Sequence, residues 1–157
     1  MAWSASKIMM SFLEDVFENT TAIDLNSDSF KITLWDNDIT PDQTVASASA
    51  AYATGQWVSA GNEVSDGAEW PVAGQALGSV TSTFASNVYT WDAADEVSDG
   101  TSATLVGFFG CFIYDDTIAA PVVDPGICYL YFGGTQTVTD GTLTVLFNAS
   151  GIFSITA

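Results

Sequence analysis

The sequence predicts an all-β protein: an antiparallel, jelly-roll-like β-sandwich of seven or eight strands with one N-terminal α-helix. Three observations carry that expectation. Short runs rich in Val, Ile, Phe, Tyr and Thr recur between turn formers from Asp28 onward. Helical periodicity is confined to residues 4–18. The run Ala103–Tyr114 is apolar on both parities, with Val106, Phe108 and Phe112 on one and Leu105, Phe109, Cys111 and Ile113 on the other. A strand apolar on both faces belongs inside a sandwich or under a partner, away from water.

At 157 residues the chain has the length of one domain, 1–157, with the helix at 4–18 and the sandwich over 28–157. Ser4 or Ser6 can cap the helix. Ile8, Met9, Phe12, Leu13, Val16 and Phe17 then form an apolar stripe opposite Ser11, Glu14, Asp15 and Glu18. That stripe covers a sheet face or a second subunit. Asn19-Thr20-Thr21 ends the helix, and residues 20–24 form a small junction.

Residues 28–35 alternate as a strand, closed by turns at Asp36-Asn37-Asp38 and Thr40-Pro41-Asp42. Thr44–Asn62 is rich in Ala, Ser and Thr, with Tyr52 and Trp57 among small residues, and reads as a long surface excursion. Turns at Glu63–Gly67 and around Trp70-Pro71 and Gly74 precede strands at Ala76–Phe84 and Asn87–Trp91. Asp92–Gly100 is an acidic connector. The central hairpin pairs Ala103–Tyr114 with Ile127–Phe132, and Gly133-Gly134 leads out of it. After a turn at Asp140-Gly141, Leu143, Val145 and Phe147 alternate with polar neighbours, and Ile152–Thr156 closes the fold. No internal repeat is visible, which excludes solenoids and propellers.

The charge balance narrows function. Two lysines, Lys7 and Lys31, stand against 19 carboxylates, with no arginine and no histidine, for a net charge of −17. Phosphate neutralisation needs Lys or Arg, so neither nucleic acid nor an anionic membrane is an expected partner. Without histidine there is no Ser-His-Asp or Cys-His catalysis and no His-ligated zinc. Cys111 and Cys128 are too few for a four-thiolate zinc site and read first as buried reduced thiols, with a disulfide as the alternative. No targeting segment and no run of membrane-spanning length is seen.

Three acidic groups stand out: Asp92, Asp95, Glu96 and Asp99; Asp36 with Asp38; and Asp115, Asp116 and Asp124. Calcium favours such hard oxygens, but none of these loops has the EF-hand spacing, and no metal or cofactor is expected. A glycosidase needs two carboxylates held in a cleft, and nothing selects a pair here. Trp35, Trp57, Trp70 and Trp91 read first as core or subunit interface and second as a glycan platform.

Several segments in order resemble a family of small structural proteins of tailed bacteriophages, especially those of actinobacteria. They are FKITLWDNDITPDQT (30–44), GQWVSAGNEVSDGAEWPVAGQAL (55–77), SNVYTWDAAD (86–95), GCFIYDDTIAAPVVDPGICYLYFGG (110–134) and GTLTVLFNASGIFSIT (141–156). The resemblance spans most of the chain from about residue 3 onward. It implies a non-enzymatic virion protein made in the host cytoplasm and displayed on the capsid exterior. Its partner would be the major capsid protein, and it would form a homo-oligomer, with a trimer suiting a capsid three-fold axis. A tail or fibre component touching host glycans is the alternative. The expected interface residues are Ile8, Phe12 and Val16 on the helix and Tyr52, Trp57 and Trp70 around the excursion.

Overall fold

The computed structural model describes residues 3–157. In chain order its elements are β1 (Lys7–Ile8), α1 (Met10–Glu18), β2 (Phe30–Trp35), α2 (Ser47–Ala50), β3 (Glu63–Val64), β4 (Gln75–Ala76), β5 (Thr81–Ala85), β6 (Val88–Asp92), β7 (Glu96–Val97), β8 (Ala103–Asp115), β9 (Gly126–Gly141), β10 (Thr144–Val145) and β11 (Phe153–Thr156). Among the described residues the protein is mostly β, every strand pair is antiparallel, and helix is confined to α1 and the one-turn α2.

The central hairpin stands where the sequence places it. The largest sheet runs β1-β9-β8-β2-β3, and β4 also pairs with β2. β3 meets β2 at Leu34 and Trp35, while β4 meets it at Lys31 and Ile32, so two short strands share one edge of β2. Residues 110–115 of β8 are all buried, whereas 103–106 alternate buried and exposed. The pairings Leu34↔Cys111 and Ile32↔Ile113 put these side chains on one face of the sheet. Phe30 shares that face and meets Trp91 of β6 edge-on at 5.0 Å. On the opposite face Phe112 stacks on Trp57 at 4.1 Å, and Tyr114 stacks on Tyr52 at 4.7 Å. One side of the sheet thus meets Trp91 of β6 and the other meets Tyr52 and Trp57 of the 44–62 excursion, which is why both parities are apolar.

The second sheet, β11-β6-β5, has cleanly alternating faces. Thr81, Thr83, Thr90, Ser154 and Thr156 lie on one face, and Phe84, Tyr89, Trp91, Phe153 and Ile155 on the other. β10 and β7 form a separate pair. The acidic connector thus contains a strand, and the expected run at 143–147 shortens to β10. The expected strand Ala76–Phe84 is divided between β4 and β5, which belong to different sheets. Ser79 between them takes φ 51°, a left-handed conformation that breaks an extended run.

Gly133-Gly134 does not lead out of the hairpin but lies inside β9. Between the pairs Phe108↔Gln136 and Gly110↔Tyr131, β8 advances two residues and β9 five (108 to 110 against 131 to 136). The extra residues form a bulge, and Gly133 at φ 83° and Gly134 at φ 152° supply its backbone angles.

The helix is shorter than its periodicity suggests, running from Met10 rather than from residue 4. Lys7 and Ile8 are drawn out as β1 against Tyr129 and Cys128, and Ser6 Oγ accepts a hydrogen bond from Tyr131 N instead of capping a helix. The Met10 N–H donates to the Gln43 carbonyl, so a neighbouring loop replaces the side-chain cap. Sheet-edge pairing outcompetes helix propensity here because it satisfies both backbone partners at once.

Cys111 and Cys128 are buried free thiols. They are not opposite each other, since Cys111 faces Leu130 and Cys128 faces Ile113. Burial pushes the Cys111 thiol up to about 12, so it packs as a small apolar side chain.

Candidate functional site

The expected interface residues divide between core and surface. Trp57 and Trp70 are fully buried, Tyr52 is nearly so, and Phe12 is 3% exposed. Tyr52, Trp57 and Trp70 therefore pack inside the subunit and not on its surface. The excursion folds inward, and Trp57 packs between Trp3, Trp35, Phe112 and Tyr129. The Tyr52 hydroxyl donates to Glu63 Oε2 at 2.8 Å, and Tyr114 donates to the Ala73 carbonyl at 2.9 Å. Trp35 and Trp91 are also fully buried, which removes the aromatic platform a glycan-binding surface would have used. Ile8 is half-buried beside Cys128 and Leu130.

Val16 does reach the surface, and it leads to the site. Met9 just before α1 and Ser11, Phe12 and Asp15 within it are buried, while its last residues, from Val16 on, are exposed. Val16 is 40% and Phe17 77% exposed. Between the end of α1, the 22–26 loop and the apolar face of the β11-β6-β5 sheet lies an open groove of about 650 Å³. Phe12 forms its floor with Phe153, the two rings edge-on at 6.0 Å, and Leu13, Ile23, Leu25, Tyr89 and Ile155 form its walls. Phe84, on the same sheet face next to Tyr89, is 70% exposed. The second sheet is thus covered at its Trp91 end and bare at its Phe84 end. The helix stripe signals half of this surface in the sequence. The Phe84–Tyr89–Ile155 half needs the pairing register of three strands, which no local pattern reveals.

Asp24 is the one charged residue that lines the groove, and Glu14 and Glu18 are exposed on the other side of α1. The Asp24 carboxylate is held below its usual range by the Asn26 backbone N–H, and so stays charged. α1 carries acidic residues through its last turn with no basic residue there, an arrangement its dipole disfavours. Packing of Met9 and Phe12, the αL cap at Asn19, and the Asp15 carboxylate, which accepts from Thr20 Oγ1 and Ser47 Oγ, hold it in place.

The acidic loops acquire a structural explanation. With so few cations, carboxylates are satisfied by backbone N–H groups: Asp36 by Asp38, Asp42 by Thr44, Asp66 by Glu69 and Thr104, Asp92 by Ala93, and Asp95 by Phe147. Lys31 and Asp116 form the one ion pair among the described residues, at 3.0 Å. Among the described residues no three carboxylates or cysteines gather as a metal-binding group, and no helix is long and apolar enough to cross a membrane.

One carboxylate is held differently. Asp115 is fully buried at the end of β8, and its Oδ1 accepts from Thr117 N while its Oδ2 has no partner. Burial pushes its pKa up from the usual 3.8 to about 7, and the Asp28 carboxylate, facing it from the loop before β2, pushes the same way. No substrate reaches a carboxyl buried in this way, so the pair acts on stability. A raised folded-state pKa stabilises fully below the unfolded value near 3.8, and that contribution is lost as pH rises through about 7. Asp36, Glu63, Glu96 and Asp124 are also raised by burial and add in the same direction. The melting temperature is therefore expected to be higher at about pH 5.5 than at about pH 8. Asp115→Asn should keep the Thr117 bond, flatten that dependence and stabilise the protein at the higher pH by on the order of 1–2 kcal/mol. Thermal melts at both pH values check this, and a wild-type melting temperature that rises from pH 5.5 to 8 refutes it.

Comparison of the chain with protein-family models, curated proteins and solved structures gives no match in any of the three.

Proposed function

We propose that this chain is a non-enzymatic structural protein of a tailed-phage virion: a capsid decoration protein that binds the outer face of the major capsid protein and stabilises the mature shell. The observation that carries the reading is the groove beside α1, where Phe17 stands bare and Phe84 is exposed on the sheet face that the groove adjoins. A chain of net charge −17 that keeps such a surface has a partner to cover it, while its charge keeps free copies apart. The ordered resemblance of residues 30–156 to phage structural proteins supplies the kind of partner. The face-on contact of the two larger sheets at Phe30 and Trp91 supports a jelly-roll-like sandwich as the architecture. A trimer suits the three-fold positions of a shell, and the exposed Val106 and Leu146, at the other end of β8, offer a subunit contact away from the groove.

Binding a lattice geometry that exists only after expansion stabilises that lattice by mass action. Purified protein is expected to co-sediment with expanded shells stripped of it, and not with unexpanded precursor shells. Equal binding to both contradicts the mechanism. Binding to isolated tails instead of shells overturns the location.

A further inference from the structure

We infer that the outer edge of β5 pairs with β5 of a second copy, antiparallel and across a two-fold axis, so that two three-stranded sheets join into one. The inference concerns how copies of the chain join and does not depend on the capsid reading. β5 is a terminal strand of the β11-β6-β5 sheet, and among the described residues its backbone is bonded to β6 alone. One row of N–H and C=O groups therefore faces solvent along Thr81–Ala85, and a further extended strand is what satisfies such a row. The edge is held ready for it. Ser86 and Asn87, at φ 52° and 65°, make the two-residue hairpin turn that keeps β5 aligned with β6. Exposed edges are commonly guarded by a charge, a proline or a bulge, and β5 has none of these. By contrast β1 and β3, the terminal strands of the main sheet, are two residues long and carry Lys7 and Glu63.

Charge selects a second copy as the occupant. Residues 70–91 hold no charged side chain, the longest such stretch in a chain of net charge −17. A partner of opposite charge would draw on carboxylates, which this edge lacks, whereas a like-charged copy approaches closely only where they are missing. Pairing centred on Thr83 uses the whole strand: Thr83 meets its own counterpart, Ser82 meets Phe84, and Thr81 meets Ala85. It also lays the Phe84 ring, 70% exposed in the single chain, beside Ser82 of the second copy. Carboxylates elsewhere on the chain still repel, so copies stay apart at low salt and pair as salt screens them.

The test uses the full chain in sedimentation equilibrium and in amide hydrogen exchange. Self-association is expected to tighten at least about threefold between about 0.05 and 0.5 M salt. Amides within residues 81–85 are expected to gain protection as the chain associates. Thr83→Glu, which sets two carboxylates opposite each other in the pair, should weaken association by about fivefold or more at an unchanged melting temperature. Thr101→Glu adds the same charge in an exposed bend before β8 and should cost less than about twofold. Equal losses from the two variants would show net charge alone at work and overturn the inference. So would a chain that stays monomeric at about 0.1 mM in about 0.5 M salt, or association that leaves 81–85 unprotected. Protection of 81–85 gained only on adding expanded shells would give the edge to a strand of the shell and overturn it as well.

Discussion

Trp57→Ala is expected to cost about 3–5 kcal/mol, enough to leave a domain of ordinary stability partly unfolded at 37 °C. Trp57 is fully buried and stacks on Phe112 at 4.1 Å with an interplanar angle of 13°. Trp3 and Trp35 meet it edge-on at 6.0 and 5.3 Å. Its indole N–H has no partner, so truncation orphans no acceptor, and the loss comes from the cavity and from the contacts of four rings. The excursion folds over one face of the main sheet around this side chain, and losing it frees residues 44–62 as well. Urea unfolding measures the change. Trp57→Phe should retain more than half of the lost stability. A docking role would give the opposite pattern, with shell binding lost and the melting temperature unchanged.

Gly74→Ala is expected to destabilise by about 2–4 kcal/mol, unusually much for one added methyl group. Gly74 sits at φ +79°, where an L side chain costs about 1–2 kcal/mol. The new Cβ would also fall on the Ile32 carbonyl of the neighbouring strand, well inside contact distance. The turn cannot shift freely, because Gly74 N donates to the Pro71 carbonyl, Ala73 N to Glu63, and the Tyr114 hydroxyl to the Ala73 carbonyl. Gly133→Ala is the matched control. Its φ of +83° is nearly the same and nothing lies near its absent Cβ, so it should pay only the backbone cost of about 1–2 kcal/mol. Equal losses at the two positions in urea titrations would show that the close approach to β2 contributes nothing.

The parts of the fold legible in the sequence are those where local pattern and long-range pairing agree. β2, β6 and the β8–β9 hairpin announce themselves by alternation or two-sided apolarity between turn residues, and their residues pair as that pattern requires. Residues 4–9 carry a helical period, yet edge pairing with β9 claims them, a competition visible only once β9 is in place. Trp57 lies among Ala, Ser and Thr, with no periodic partner to mark it as core. Its burial depends on Phe112, 55 positions away (112 − 57). The carboxylates form clusters along the chain that resemble metal loops, whereas in space they spread out to bind backbone N–H groups. The groove is half legible: Phe12 and Val16 mark the helix side, while Tyr89 and Ile155 reach it through strand register.

A cryo-EM reconstruction of the virion tests the central claim most directly. The account predicts density for this fold on the outside of the shell, with Phe17 and Phe84 turned toward the major capsid protein. Density confined to the tail, or a subunit bound to the shell with the α1 groove open to solvent, would contradict it.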